Sequence, residues 1–194
     1  MQKASKVLIT IILMVAACSK LPVTSQPDFS QLPIDLPPRN SQLPTRIAQN
    51  FSLLFEWNTG TLPPEYTYSY TIMLETGKGR LEYQHGYADD YSKQWKFDFT
   101  VSEKQMYDLY EYLNSQNMFR SSWKKGEPML GGSGSALILK ADGEEYIIPS
   151  ISILASSEYA RVDAAFEAIR ALVPQSIWDE MNAHQREYEA NFEE

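Results

Sequence analysis

The chain has 194 residues, of which 17 are basic and 25 acidic, giving a formal net charge of −8. An acidic surface is repelled by nucleic acid and by anionic lipid headgroups, so neither is expected as a partner of the protein surface itself. The only cysteine, Cys18, excludes a disulfide framework within the chain.

The first residues of the chain have the layout of an export signal. Lys3 and Lys6 supply a positive start, and an apolar run follows over residues 7–15. Small residues then lead to the cysteine. This arrangement resembles a bacterial lipoprotein signal peptide whose lipobox is Val15-Ala16-Ala17-Cys18.

The resemblance implies cleavage between Ala17 and Cys18, followed by acylation of the new N-terminal cysteine. Two or more acyl chains hold a protein firmly on a membrane, whereas one chain holds it only marginally. Membrane attachment is therefore expected through the lipid anchor, in the bacterial cell envelope. Ser19 stands where an Asp would favour retention at the inner membrane, which favours the outer membrane if the host has two.

Three other interpretations of the N terminus remain open. A membrane-spanning helix needs about 20 apolar residues, roughly twice the length of this run. An ordinary secretory signal also fits Val15 and Ala17, and a buried cytosolic segment is the third alternative. The cysteine at the cleavage position and the proline-rich stretch after it favour the lipoprotein.

The chain is predicted to have three parts: a signal peptide over residues 1–17, a lipidated cysteine with a tether over residues 18–46, and one globular domain over residues 47–194. The tether contains six prolines among Ser, Gln, Asn and Thr, which is typical of a semi-rigid spacer. At about 3.1 Å per residue, such a spacer reaches on the order of 85 Å when extended. A docking peptide for a proline-binding partner is the alternative.

Four segments at the start of the domain alternate apolar and polar residues with a period of two. Such alternation is typical of antiparallel strands with one apolar and one polar face. The predicted apolar stripes are Phe51, Leu53, Phe55 and Trp57; Tyr66, Tyr68, Tyr70, Ile72 and Leu74; Leu81, Tyr83, His85 and Tyr87; and Trp95, Phe97, Phe99 and Val101.

Helices and one more hairpin follow these strands. Ser102 and Gln105 form a capping box ahead of an amphipathic helix. Asp142-Gly143 between two apolar runs predicts a hairpin. A second helix is expected over residues 157–172, and a third is expected to be capped by Ser176. The apolar stripe of the third helix is predicted to be Trp178, Met181, Tyr188 and Phe192.

The sequence therefore predicts an α+β domain in the order ββββαββαα. About six strands form an antiparallel sheet, and the helices pack on one face of it, because this arrangement buries every apolar stripe.

The sequence contains no recognisable catalytic or phosphate-binding motif. The loop Gly131-Gly132-Ser133-Gly134-Ser135 lacks the last glycine of a nucleophile elbow and the Lys of a P-loop. His85 is predicted to be a packed residue on a strand, and no sequence spacing brings it near His184. No catalytic residue, metal ligand or cofactor site is predicted.

A lipid-tethered domain without recognisable catalytic residues favours a binding or assembly function, with another envelope protein as the partner. Leu54 and Met73 interrupt the polar face of the sheet and are candidates for the interaction surface. Trp123 and Ser133, in the long loop between the first helix and the second hairpin, are the others.

Two alternatives stand beside this function. An envelope hydrolase or carbohydrate-binding protein would use carboxylates such as Glu82 or Asp98 near the aromatic residues. For this alternative the tyrosines and tryptophans would form an exposed platform, whereas aromatic residues on half-buried strands more often form the core. A passive structural lipoprotein is the second alternative.

Overall fold

The computed structural model describes residues 50–87, 94–129 and 131–192. The predicted signal peptide, Cys18 and the tether lie outside the described residues. The main elements follow the predicted order ββββαββαα. They are β1 (Ser52–Asn58), β2 (Tyr68–Glu75), β3 (Lys78–His85), β4 (Gln94–Phe99), α1 (Glu103–Ser115), β5 (Gly134–Ala141), β6 (Glu144–Ile148), α2 (Ser156–Arg170) and α3 (Gln175–Phe192).

The strands form one antiparallel sheet in the order β4-β3-β2-β1-β5-β6. β1 lies in the middle, because β5 returns to pair with the edge of β1 that β2 leaves free. The core includes side chains from the inner sheet face and from all three helices. The predicted α+β class, with helices on one face of the sheet, is confirmed.

Local sequence signals explain where α1 begins and where the chain turns between β5 and β6. The Gln105 N–H donates to Ser102 Oγ at 3.2 Å, and the Ser102 N–H donates to Gln105 Oε1 at 2.9 Å, so the capping box forms at the start of α1. Asp142 and Gly143 both have positive φ, 51° and 83°. This is the backbone of a two-residue hairpin turn, as predicted.

The core is centred on β1 and α2. Phe55 is fully buried, and its ring lies 4.8 Å from that of Phe166 on α2. Tyr70 and Tyr83 are also buried, while Trp57 and Trp95 are partly buried and pack against the core. Most of the strand aromatics therefore form core and not an exposed platform.

Two aromatic residues do not follow the predicted stripes. Tyr66 lies in a 3-10 turn over Pro64–Tyr66 and is 49% exposed. Tyr87 follows the end of β3, is 51% exposed and donates its hydroxyl to the Leu62 carbonyl oxygen at 3.1 Å. The prediction that these residues belong to strand stripes is wrong for both. Alternation of apolar and polar residues does not show where strand pairing stops, so the predicted stripes extended past the ends of β2 and β3.

The predicted cap of α3 is also wrong. α3 begins at Gln175, so Ser176 lies inside its first turn. Pro174 precedes the helix, and its carbonyl oxygen accepts from the Ile177 N–H at 3.0 Å. A proline at this position has no N–H to satisfy and has a fixed φ, so it can begin a helix without a serine cap.

The predicted stripe of α3 is correct in part. Met181 is buried and Trp178 packs partly buried against the core, but the other buried residues of α3 are Ile177 and Gln185, and Phe192 is 46% exposed. Gln185 accepts a hydrogen bond from the Tyr83 hydroxyl, and burial raises the pKa of Tyr83. The sequence pattern missed Gln185 because a polar residue scores against burial, although a satisfied hydrogen bond makes that burial tolerable.

Candidate functional site

No helix in the part of the chain that the structure describes covers the outer face of the sheet, which is called here the open face. On this face Leu54 lies directly opposite Met73 on β2 and Ile138 on β5. Ile138 lies opposite Ile147 on β6, which is 60% exposed. These four residues form a continuous row across four strands, the apolar stripe, of which sequence reasoning had identified Leu54 and Met73.

Polar and charged side chains border the apolar stripe. At its β2 end Met73 lies opposite Arg80, which is paired across the sheet with Asp98 through a 2.6 Å contact. The hydrogen bond from Arg80 lowers the pKa of the Asp98 carboxyl below its ordinary value. A concavity of about 230 Å³ lies at this end, lined by Met73, Glu75, Lys78, Gly79, Arg80 and Asp98.

The charges of the open face nearly balance. Among the described residues it carries four basic and five acidic side chains, whereas the sequence over residues 47–194 contains 12 basic and 23 acidic residues. The acidity of the domain is therefore concentrated elsewhere. The open-face charges are Lys78, Arg80, Lys96, Lys140, Glu56, Glu75, Glu82, Asp98 and Glu145.

The carboxylates considered for hydrolysis lie on this same open face. Glu82 is 3.0 Å from Lys96, and Asp98 is paired with Arg80. Their neighbours along the strands, including Tyr83, point to the opposite, helix-covered face. Glu82 and Asp98 are thus separated from the aromatic core by the sheet.

Trp123 and Ser133, the two candidate surface residues between α1 and β5, lie in different places. The Arg120 guanidinium lies 3.6 Å above the Trp123 ring, and Trp123 packs partly buried against the core. Ser133 is exposed and lines a different feature, a concavity of about 430 Å³. Its lining comprises Trp57, Met129, Gly131, Gly132, Ser133, Ser135, Ile151, Ser152, Asp163, Phe166 and Arg170. Trp123 and Ser133 therefore do not join Leu54 and Met73 in one surface.

Gly60 lets the chain pass close to this loop. Its φ is +81°, and a Cβ built on it would lie 2.0 Å from the Gly132 carbonyl oxygen. Asn58 Oδ1 accepts from the Gly60 N–H at 3.0 Å and from the Gly134 N–H at 3.3 Å. Only glycine fits at position 60, because any side chain would meet backbone there.

A third feature lies where the second half of α3 meets β3 and β4. The His184 ring stacks on Trp95 at 4.5 Å, and the His85 ring is also 4.5 Å from Trp95. The Tyr188 ring lies 4.0 Å from His85. These rings border a cavity of about 370 Å³, the α3 cavity, which is lined by His85, Trp95, His184, Glu187, Tyr188, Asn191 and Phe192.

The sequence did not predict that His85 and His184 lie close together. They lie on different elements and converge only because α3 packs against β3, next to the edge strand β4. One signal was present, since His184, Tyr188 and Phe192 recur every four residues and so share one side of α3. Trp95, whose ring contacts both histidines, had been assigned to an apolar strand stripe or, in the alternative function, to an exposed aromatic platform.

Within residues 50–87, 94–129 and 131–192, no group of three or more His, Cys, Asp or Glu side chains is placed to hold a metal ion. No helix within those ranges combines the length and the apolar character needed to cross a bilayer. Comparison of the chain with protein-family models and with curated proteins finds no match.

Proposed function

We propose that this protein is a lipid-anchored envelope protein whose domain binds another envelope protein through the open face, without chemistry of its own. The apolar stripe is the observation that carries the proposal. A row of four aligned apolar side chains, bordered by charged rows, has the layout of a protein interface with an apolar centre and a polar rim.

The size of the open face supports a specific partner. Six strands about 4.8 Å apart and about six residues long make a face of roughly 29 Å by 20 Å, or about 600 Å². Covering it on both partners would bury about 1,200 Å², which is the lower end for specific interfaces. A reversible interaction is therefore expected.

Charge favours a different protein over a second copy. A second copy would bring another domain with 12 basic and 23 acidic residues, and the two would repel each other. The open face itself has balanced charges, so it presents no such repulsion to a neutral or mixed-charge partner surface. Its ion pairs, such as Arg80 with Asp98, can exchange partners at the rim at little cost.

The anchor is proposed from the lipobox. We expect Cys18→Ala to lose radioactive palmitate incorporation completely and to remain uncleaved, because acylation of the cysteine precedes removal of the signal. Metabolic labelling followed by electrophoresis measures both effects. Ser19→Ala serves as the matched control and should label like the unaltered protein. Equal labelling of Cys18→Ala and the unaltered protein would overturn the anchor.

The partner is tested by photo-crosslinking in living cells of the bacterium that makes the protein. A photoreactive residue at position 138 is expected to give one discrete adduct. Leu54→Lys should reduce that adduct at least fivefold, because burying an unpaired charge in the interface is costly. Thr71→Lys lies on the same face of β2 but outside the apolar stripe, and it should leave most of the adduct in place.

Three outcomes contradict the proposal. Absence of any adduct at position 138 would favour a passive structural role. An adduct that contains two copies of this chain and nothing else would make the open face a homodimer interface. An adduct that Leu54→Lys does not change would mean that the apolar stripe is not the contact.

A further inference from the structure

The α3 cavity combines aromatic rings with negative charge and is separate from the open face. His184, Tyr188 and Phe192 approach it from α3, and His85 and Trp95 approach it from β3 and β4. Tyr188 and Phe192 lie 5.6 Å apart in an edge-on arrangement. A volume of about 370 Å³ is within the range of small-molecule sites.

The electrostatics of the α3 cavity favour a cation. Glu187 is one of its lining residues, and within residues 50–87, 94–129 and 131–192 no Lys or Arg lines the cavity. The negative faces of aromatic rings add to this attraction. An anionic ligand would be opposed by both contributions.

We propose that the α3 cavity binds an organic cation of the ammonium or guanidinium type, held against Trp95, Tyr188 and Phe192 and paired with Glu187. Asn191 supplies an amide that can accept or donate a hydrogen bond at the rim. The same chemistry is offered by a free amine and by a lysine or arginine side chain of another protein. This site does not depend on the apolar stripe or on the lipid anchor.

A matched pair of probes distinguishes the effect of the ligand's charge from the effect of its shape. Choline and its carbon analogue 3,3-dimethyl-1-butanol have nearly the same shape, but only choline is charged. Calorimetric titration of the full chain is expected to give a dissociation constant for choline at least tenfold lower than for the neutral analogue. Equal affinity for both, or binding of neither choline nor the amino acid probes below, would overturn the proposal.

Variants test the named residues. Glu187→Gln removes the charge and keeps the shape, and it is expected to weaken choline binding about fivefold to tenfold. Phe192→Ala is expected to weaken it to a similar extent by removing a ring. The Glu187 side chain is 73% exposed and Phe192 is 46% exposed, so both variants should fold, which circular dichroism checks. Glu180→Gln, on the same helix but outside the cavity lining, is the control and should bind normally. Unchanged binding by Glu187→Gln would contradict the proposed pairing.

The source of the cation is resolved by two further titrations. The N-acetyl methylamides of lysine and arginine carry the side-chain cation without free termini. Tighter binding of either compound than of choline would assign the cavity to a protein side chain. Tighter binding of choline would assign it to a free quaternary amine.

Discussion

Replacing Phe55 by alanine is expected to lower the free energy of unfolding by about 3–5 kcal/mol. Phe55 lies on the central strand β1 and has no exposed surface. Its ring contacts Phe166 of α2 at 4.8 Å, and Tyr70 of β2 lies 6.2 Å away, so truncation would leave a cavity between the sheet and a helix. The close packing of a protein interior permits only partial relaxation around such a cavity.

The preceding residue provides the matched control. Leu54 is on the same strand but faces the open side, and Leu54→Ala should cost less than about 1 kcal/mol because water already reaches this position. Urea unfolding of both variants, followed by tryptophan fluorescence, gives the two losses in stability. Similar losses for Leu54→Ala and Phe55→Ala would mean that the helices do not cover the face to which Phe55 belongs.

This pair of neighbours also illustrates what the sequence could reveal. Alternation between Leu54 and Phe55 is a local property, and it predicted correctly which of them faces the core. The capping box at Ser102 and the turn at Asp142 are local as well, and both are confirmed. Each of these signals needs only a few consecutive residues, since strand faces, helix caps and tight turns are set by the nearest backbone.

The apolar stripe could not be predicted in full, because it depends on register. Leu54 meets Ile138 only because β5 crosses the domain to pair with β1, and nothing local to either strand specifies that pairing. Ile138 and Ile147 read as ordinary strand residues when each is considered alone. The stripe exists because four strands align these positions in one row, and such alignment follows from the tertiary fold.

The α3 cavity was missed for a related reason. Trp95 and His184 are 89 positions apart in the chain, and the ring contact between them requires α3 to pack against the end of the sheet that β3 and β4 form. The predicted stripe of α3 also left out His184 and the buried residues Ile177 and Gln185. Helical periodicity locates a buried face only to within about one residue, because one helical turn contains 3.6 residues and not a whole number.

Replacing Glu158 by glutamine is expected to cost about 3 kcal/mol of stability, the second large effect. Glu158 is 5% exposed in the first turn of α2, and its Oε2 accepts from Arg120 and Arg161, each at 2.5 Å. A neutral amide accepts weaker hydrogen bonds than a carboxylate and would leave two partly buried guanidinium groups without their counter-charge. It would also lose the favourable interaction of an acidic side chain with the helix start.

The same substitution should loosen the loop that follows α1. Arg120 joins this loop to Glu158 on α2 and also covers Trp123, while the Ala155 N–H donates to the Lys124 carbonyl oxygen at 2.9 Å. With Glu158 neutralised, cleavage by trypsin after Lys124 should become several-fold faster under native conditions, because local opening exposes the backbone.

Glu167 provides the matched control for Glu158 on the same helix. It is paired with Arg170 at 2.6 Å, but its side chain is 40% exposed, so Glu167→Gln should cost less than about 1 kcal/mol and leave cleavage unchanged. Thermal unfolding measured for both variants compares a pair with a buried carboxylate and a pair whose carboxylate is 40% exposed. A loss for Glu158→Gln no larger than that for Glu167→Gln would mean that the two arginines are satisfied by water, and that the loop is held by its backbone contacts alone.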